Sequence, residues 1–440
     1  RIRVMTMMNT KEDALQFISK NDVKFIRLAF CDVHGVQKNI SVMPSELAGV
    51  FEKGIPFDAY SIDGFADSDK SSLFLFPDPT TLTFLPWRPS HGRVVRFFCD
   101  IRKKDGSVFE GDFRYLLRRA VQRIEALDFD CKIGTKSEFY LFRADEHGSP
   151  TLEPFDEAGY LDVAPLDKGE NIRREICLTL EEMGIQPESS CHKRGPGQDE
   201  IDFKFGPAVT AADNLITYKS VVKTMAARNG LYASFMPKPI ADKSGSGLHL
   251  NISLYRGGKN VFECAPEIAE SFIEGILSKI GEITVFLNPL TNSYARFGCF
   301  EAPKYIAWSK DRAQLIRLLG MRPENMRMEL RSPDPACNPY IAMALILNAG
   351  AEGIEKRLAA RPAIDLDLSS TPLNILEKLD SLPNSLSEAV ELGQNSDFVR
   401  SIIPQHALQH YMDQKRNEYM AYLQADNRER FEMDLYFKNI

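Results

Sequence analysis

GTKSEFYLF, at residues 134–142, is one of four stretches in which apolar and polar residues alternate. The other three are GQDEIDFKF (197–205), SGSGLHLNISLY (244–255) and RMELRSPDP (327–335). Alternation has the period of a β-strand, in which successive side chains point to opposite faces. These stretches therefore predict four strands, each with one apolar face turned to a core and one polar face.

The polar faces of these strands carry an unusual set of residue types. Strand by strand, they are Lys136, Glu138 and Tyr140; Glu200, Asp202 and Lys204; His249, Asn251 and Ser253; and Arg327, Glu329 and Arg331. For a single strand, a solvated outer face is the simpler interpretation. Four such strands, flanked by Gly-rich and Pro-rich turns, instead favour a pocket for hard cations, phosphates and carboxylates.

Composition narrows the class of protein and its partners. The 440 residues are 44% hydrophobic and 26% charged, enough for one large or two ordinary domains. No apolar run approaches the roughly 20 residues that span a bilayer, and no signal peptide is evident, so we expect a soluble, cytoplasmic protein. A net charge of −7 without a basic tract predicts small-molecule partners rather than nucleic acid or membrane. Eight cysteines without a CxxC pair argue against a disulfide framework.

The chain divides into a strand-rich beginning and a mixed remainder. Short strands punctuated by turns occupy roughly the first hundred residues, up to RVVRFFCDI (93–101). The first helical pattern, GDFRYLLRRAVQRIEAL (111–127), begins with Asp112 as a predicted N-cap. Helical patterns at 171–184 and 211–230 and a largely helical end follow. We therefore predict an α+β protein with a small domain at 1–107 and a large domain at 108–440.

Six motifs, in this order, resemble those of the glutamine synthetase family, and together they cover nearly the whole chain. They are FDAYSI (57–62), GPGQDEIDF (195–203), FMPKP (235–239) with SGSGLHLNISL (244–254), NSYARFGCFEAP (292–303) and MELRSPDPACNPY (328–340). The resemblance, closest to short bacterial-type members, implies a β-grasp-like N-terminal domain and a catalytic domain with a curved antiparallel sheet flanked by helices. It also implies self-association into a ring, a hexamer or dodecamer, with active sites between neighbouring subunits.

The same resemblance implies roles for individual residues. Coordination of Mg²⁺ or Mn²⁺ is implied for Glu138, Glu200, His249 and Glu329. Contacts to an amino-acid-like substrate are implied for Arg296, Gly245, His249, Arg331, Ser61 and Tyr160, and contacts to ATP for Ser253, Arg317 and Arg327. Catalytic roles are implied for Glu301, Asp58 and Arg312. A surface salt bridge is the alternative for each arginine, as Arg322, which receives no role, illustrates.

Two lysines depart from the family pattern. Lys136 stands where the family has the first glutamate of E-x-E, and Lys193 stands where it has the glutamate of H-H-E. Two unit charges about 4 Å apart repel by about 4 kcal/mol at an effective dielectric of about 20, so a protonated lysine disfavours a neighbouring metal ion. Because each lysine stands where the family has a glutamate, the two ammonium groups bring the pocket to the same net charge as two divalent ions would, and they can replace both ions. The alternative is that both alkyl stems lead their charges to solvent.

Three functions stay open on the sequence. The first is an ATP-dependent ligase that joins ammonia or an amine to the side-chain carboxylate of glutamate or a related acid through an acyl phosphate. The second is a diverged enzyme in which Lys136 and Lys193 replace the metal ions and the chemistry on an amino-acid-like ligand differs. The third is a noncatalytic ring. The retained arginines favour a ligand-binding role over a purely structural one.

Overall fold

Two β-sheets organise the chain. The computed structural model of the protein describes residues 10–65, 72–88, 91–298, 302–310, 313–320, 322, 325–368 and 371–440. Within these residues a six-stranded sheet is followed by an eleven-stranded sheet with helices packed against it. This arrangement confirms the predicted α+β class.

The N-terminal part contains the smaller sheet. Its elements are α1 (Lys11–Lys20), β1 (Val23–Cys31), β2 (Gln37–Val42), α2 (Leu47–Lys53), β3 (Ile55–Phe57), β4 (Leu73–Pro77), β5 (Thr83–Phe84) and β6 (Arg93–Arg102). The strand order is β2-β1-β6-β4-β3, with β5 paired to β6. Only β1 and β6 run parallel, and they form the centre of the sheet with strands paired on both sides.

The remainder of the chain alternates strands and helices. Its strands are β7 (Asp130–Ala144), β8 (Pro150–Pro154), β9 (Pro187–His192), β10 (Gln198–Phe203), β11 (Gly206–Pro207), β12 (Leu231–Ser234), β13 (Leu248–Arg256), β14 (Lys259–Asn260), β15 (Trp308–Ser309), β16 (Ile316–Leu319) and β17 (Arg327–Leu330). Its helices are α3 (Phe113–Ala126), α4 (Glu170–Glu182), α5 (Ala208–Arg228), α6 (Val261–Cys264), α7 (Pro266–Leu287), α8 (Pro339–Glu355), α9 (Leu373–Leu376), α10 (Leu386–Asn395), α11 (Asp397–Ile402), α12 (Gln405–Gln424) and α13 (Arg428–Glu432).

The four alternating stretches become β7, β10, β13 and β17, and they are consecutive neighbours in the larger sheet. The strand order is β15-β16-β17-β13-β7-β10-β9, and every pairing in this sheet except β15 with β16 is antiparallel. Their apolar members, among them Ile201, Leu250 and Met328, are fully buried. The alternation therefore separates a core face from a second face on which the polar side chains meet.

Helices cover the core, and one of them begins where the sequence predicts. Asp112 caps α3, because its carboxylate accepts hydrogen bonds from the backbone N–H groups of Arg114 and Tyr115. Helix α3 packs against α8, which also packs against α7. None of the helices in the part of the chain that the structure describes has the length and apolar character needed to cross a bilayer.

A buried arginine links the N-terminal part of the chain to helix α5. The Arg114 guanidinium donates to Asp78 and Asp100 of the N-terminal part at 2.9 and 3.2 Å, and to Asp213 of α5 at 2.9 Å. The hydroxyl of Tyr340 donates to the same Asp213 at 2.6 Å. Because these partners come from both parts of the chain, the ion pairs connect the two parts. The domain boundary at residue 107 stays a prediction.

Candidate active site

Strand register brings the polar side chains into adjacent rows. Glu200 of β10 lies opposite Glu138 of β7, and Lys136 of β7 lies between Asp202 of β10 and His249 of β13. In the next strand pair, Asn251 of β13 lies opposite Glu329 of β17, which lies opposite Arg317 of β16. Facing residues on neighbouring strands lie about 5 Å apart, so these rows form one continuous polar surface.

This polar surface is buried rather than solvated. Glu138, Glu200 and His249 are 4%, 6% and 9% exposed, and Glu329 is fully buried. A buried carboxylate is costly unless it has a charged or hydrogen-bonding partner. The interpretation of a solvated outer face is therefore wrong for these strands, and each buried carboxylate needs such a partner.

Lys193 lies between the two glutamates. Its Nζ is 3.0 Å from Glu138 Oε1 and 3.1 Å from Glu200 Oε2. The second oxygen of Glu138 accepts a hydrogen bond from the Gly247 N–H at 2.7 Å. Burial and the neighbouring Glu138 carboxylate raise the pKa of Glu200 to about 7, although the Lys193 ammonium opposes the rise. One ammonium therefore bridges two carboxylates that would otherwise repel each other.

A tight hairpin loop places Lys193. The Lys193 N–H donates to the Gln198 carbonyl at 2.7 Å across the turn that links β9 and β10. Two glycines in this turn leave no room for a side chain: a Cβ at Gly195 would lie 1.9 Å from the Tyr140 hydroxyl, and one at Gly197 would lie 2.6 Å from the Leu141 carbonyl. The GPG sequence is thus required by close packing of the loop against β7.

The residue before Lys193 is the centre of a buried ion pair that the sequence did not indicate. His192 Nδ1 lies 2.8 Å from the Lys193 carbonyl, and its Nε2 lies 3.0 Å from Asp156 Oδ1. Both ring nitrogens face acceptors, so both must donate and the ring is an imidazolium. The Asp167 carboxylate lies close to Asp156 and His192 and forms an ion pair with Arg173. Asp156, Asp167 and His192 are therefore already neutralised and do not fit a metal ion.

A pH-dependent stability follows for His192. Burial alone would lower its pKa, but the hydrogen bond to Asp156, the Lys193 carbonyl and the nearby Asp199 carboxylate outweigh burial and raise the pKa to about 9. A raised folded-state pKa stabilises fully below the unfolded value of about 6.5 and loses this contribution as pH rises through about 9. We expect the thermal unfolding midpoint of the protein to fall over this window.

The variant His192→Gln should abolish most of that pH dependence and lower the unfolding free energy near neutral pH by about 3 kcal/mol, since it breaks a buried pair. Differential scanning calorimetry from pH 6 to 9.5 measures both effects. His147→Gln, in a hairpin where the side chain is 80% exposed, should keep the wild-type profile. An unchanged profile for His192→Gln would refute the assignment of the imidazolium.

Lys136 is directed away from the glutamate pair. Its Nζ lies 2.6 Å from Asp202 Oδ2, and the same oxygen accepts from the Ser189 hydroxyl at 2.8 Å. Burial opposes the charge, but the Asp202 carboxylate outweighs it and raises the pKa of Lys136. Asp202 was not predicted as a partner, although its position two residues after Glu200 sets it opposite Lys136 in an antiparallel pair.

Arginines surround the carboxylate at the other end of the surface. Glu329 Oε2 accepts from Arg317 Nε and lies 3.9 Å from Arg331 Nη1. Its Oε1 lies 3.8 Å from His249 Nδ1. Burial lowers the pKa of His249 to about 3, so the imidazole is neutral and keeps a lone pair for a cation or a donor.

A glycine creates the space for a buried arginine. Arg296 is fully buried, and its Nη1 donates to the carbonyls of Ser332 and Pro333 at 3.2 and 3.4 Å. A Cβ at Gly245 would lie 2.7 Å from Arg296 Cγ and 2.8 Å from the Pro237 carbonyl. Gly245 therefore admits the arginine side chain beside the loop that precedes β13.

Five of these side chains, Glu138, Lys193, His249, Arg317 and Arg331, line one cavity. Its volume is about 330 Å³, and its lining consists of Glu138, Tyr160, Lys193, Arg194, Gln198, Ser244, His249, Ala313, Arg317 and Arg331. Arg194, Gln198 and Ser244 were not predicted as lining residues, although Gln198 belongs to the GPGQDEIDF motif. The cavity combines the Glu138 carboxylate, a neutral imidazole, an ammonium and guanidinium groups, and the cationic groups can hold an anionic substrate and polarise it.

The remaining predicted residues lie in several places. Asp58 and Ser61 are exposed on the N-terminal part, where the Ser61 hydroxyl donates to Asp58 at 2.8 Å, and neither is among the described residues that line the cavity. Arg327 donates to Asn251 at 3.2 Å, and Ser253 donates to the Met326 carbonyl at 3.4 Å. The predicted residues Glu301 and Arg312 lie outside the described residues.

Family models and curated proteins match most of the chain. The model described as "Glutamine synthetase, beta-Grasp domain" matches residues 22–104, and that described as "Glutamine synthetase, catalytic domain" matches residues 110–436. A glutamine synthetase of Methanosarcina mazei is 42% identical over 428 residues, which cover 95% of this chain and 96% of the relative. A glutamine synthetase of Staphylococcus aureus is 41% identical over 424 residues, with 94% and 95% covered.

Solved structures share the fold. A structure described as "GmaS/ADP complex-Conformation 1" superposes with a TM-score of 0.85 at 27% identity, and covers 96% of this chain and 98% of its own. A glutamine synthetase of Plasmodium falciparum reaches a TM-score of 0.84 at 23% identity, with 98% and 99% covered, which supports the fold alone. With both family models matched and relatives above 40% identity along almost its full length, the chain belongs to the glutamine synthetase family of ligases.

Proposed function

We propose that this protein is an ATP-dependent ligase that joins ammonia or an amine to the side-chain carboxylate of glutamate or a related acid. The observation that supports it most directly is the convergence of Arg317, Arg331 and neutral His249 on one cavity beside the Glu138–Glu200 pair. Relatives described as glutamine synthetases agree with this chemistry. They lend no support to the alternatives of a different chemistry or a noncatalytic ring.

The proposed reaction has two steps. An oxygen of the substrate carboxylate attacks the terminal phosphorus of ATP, which forms an acyl phosphate and releases ADP. The nitrogen of the neutral amine then attacks the acyl carbon, phosphate leaves, and the nitrogen loses one proton. Arg317 supplies positive charge at the cavity wall, where negative charge accumulates on the transferring phosphoryl group, and Arg331 binds the carboxylate of the acid. Glu301 is the proposed acceptor of the proton.

Two positions for a divalent cation differ in how well the residues fit. At Glu138 and Glu200 the Lys193 ammonium already contacts both carboxylates, so these residues do not fit a metal. At His249 and Glu329 the ligand atoms Nδ1 and Oε1 lie 3.8 Å apart, about 0.8 Å further than the ~3.0 Å of neighbouring ligands at ~2.1 Å from Mg²⁺, so a small side-chain movement would bring both to one ion. These two residues would hold Mg²⁺ or Mn²⁺, which supplies positive charge to nucleotide phosphates.

Self-association into a ring is part of the proposal. Asp58, predicted to be catalytic, and Ser61, predicted with Tyr160 to contact the substrate, are exposed on the N-terminal part, whereas Tyr160 lines the cavity and is 57% exposed. A second copy of the chain that presents its own Asp58 and Ser61 beside Tyr160 would complete the pocket. The number of subunits, six or twelve, follows from the family resemblance only.

The test is product formation with pairs of acids and amines. We expect ADP release from ATP to require both partners, with one amide formed for each ADP, when glutamate or aspartate is combined with ammonium, methylamine or ethanolamine. Coupled ADP detection and mass spectrometry of the amide measure the two products. ADP release that is equal without acid or without amine would indicate an unrelated ATPase, and no release with any pair would refute the ligase.

A further inference from the structure

Lys193 differs from an ordinary surface lysine because its charge lies inside the cavity. Its side chain is 19% exposed, and the side chains of Glu138 and Glu200 that it contacts are 5% and 9% exposed. We propose that the Lys193 ammonium is a resident cation of the ligase pocket, which holds the Glu138–Glu200 pair in place of a divalent ion. The inference rests on the proposed function, since it concerns the cations of the same pocket.

The contacts leave no second place for a cation between the two glutamates. A divalent ion that bridges the pair through Glu138 Oε1 and Glu200 Oε2 would have to approach both oxygens to within ~2.1 Å. Those oxygens are 3.0 and 3.1 Å from the Lys193 nitrogen, and the other oxygen of Glu138 accepts from the Gly247 N–H. Metal binding at this position therefore requires that the ammonium leave.

The chain around Lys193 restrains such a movement. Its N–H donates to the Gln198 carbonyl, and its own carbonyl accepts from the His192 imidazolium. The packed GPG turn follows at once, and the Tyr160 ring has its centre 5.9 Å from Nζ. Backbone hydrogen bonds on both sides of the Cα fix the position from which the side chain extends to the glutamates. If the ammonium swung outward, two buried carboxylates would face each other without a counterion.

The second lysine does not share this role. Lys136 donates to Asp202, the residue that faces it across the strand pair. His249 and Glu329 are the two predicted metal ligands that no lysine bridges in the described structure. This difference between the two lysines predicts the number of divalent cations that the protein binds. The protein should bind at most one divalent cation per chain, at His249 and Glu329, and a carboxylate at position 193 should add a second.

The experiment counts bound Mn²⁺ on the whole 440-residue chain without nucleotide. Electron paramagnetic resonance of free Mn²⁺ measures the number of ions bound per chain as Mn²⁺ is added from micromolar to millimolar concentration. We expect the wild type to bind no more than one ion. Lys193→Glu, with three converging carboxylates, should bind one more ion, with an affinity at least tenfold higher than the wild type shows at this position. Mn²⁺ should also raise the thermal midpoint of Lys193→Glu more than that of the wild type.

The matched control is Lys204→Glu, which makes the same charge change at an exposed lysine just after β10. It should bind the same number of ions as the wild type. If Lys193→Glu does not fold without metal, refolding in Mn²⁺ should recover it, and the wild-type count alone still decides the point. Two ions bound tightly per wild-type chain, or no gain in folded Lys193→Glu, would overturn the inference.

The count is independent of turnover. Amide synthesis by a wild-type protein that binds two ions would refute the resident cation and leave the ligase standing. A wild-type count of one or none, together with absence of ADP release for every acid and amine, would refute the ligase and leave the resident cation standing.

Discussion

Replacing Gly245 with alanine is expected to lower kcat/KM for the ligase reaction at least about 100-fold. The new Cβ would lie 2.8 Å from the Pro237 carbonyl, which is backbone, and 2.7 Å from Cγ of the fully buried Arg296. Because the backbone cannot give way easily, Arg296 or the loop before β13 must move. A displacement of about 1 Å in a positioning group can cost about 100-fold in rate.

The control for this change is Gly281→Ala in helix α7. A Cβ there meets only Leu392 Cδ1 at 3.8 Å, an ordinary contact distance. Alanine favours a helix interior over glycine by about 0.5–1 kcal/mol, so the variant should be slightly more stable and equally active. Steady-state ADP release and thermal unfolding compare the two variants. Wild-type activity in Gly245→Ala would show that Arg296 has room to move and does not position the substrate.

Arg331→Lys is expected to reduce kcat/KM about 10- to 100-fold, mainly through a higher KM for the carboxylic acid. Arg331 lines the cavity with a side chain only 10% exposed, and Glu329 lies 3.9 Å from its Nη1. A guanidinium can bind both oxygens of a carboxylate, whereas an ammonium offers a point charge. Losing a hydrogen bond to a charged group costs about 1.5–3 kcal/mol, and about 1.4 kcal/mol corresponds to tenfold.

Arg322→Lys serves as the comparison, because Arg322 is exposed and has no predicted role. It should keep kcat and KM within about twofold of the wild type, as surface substitutions usually do. Separate titrations of the acid, the amine and ATP identify which substrate has lost its contact. If Arg331→Lys raises KM for ATP and leaves that for the acid unchanged, the assignment of Arg331 to the carboxylate is wrong.

Several features of the fold could be predicted from local patterns. The alternation in 134–142 and 197–205 predicted strands with one buried apolar face, and β7 and β10 have that face. Asp112 before a helical pattern predicted the start of α3. These predictions succeed because strand alternation and N-capping depend on residues that are neighbours in sequence.

Partner choice among the charged side chains could not be predicted in the same way. The sequence placed Lys136 and Lys193 in one pocket with equal roles, but the structure pairs Lys136 with Asp202 and sets only Lys193 between Glu138 and Glu200. The difference depends on strand register and on the turn that carries Lys193. Both are products of packing between segments far apart in the chain.

The sequence alone determined the residue types in the pocket, the faces on which they lie and the family to which its motifs point. Only the tertiary structure decided that the polar face is buried, that His192 is an imidazolium locked to Asp156, and that one lysine occupies the space of a cation. The physical reason is that alternation orients a side chain locally, whereas its charge partner is chosen by whatever the rest of the fold brings within hydrogen-bonding distance.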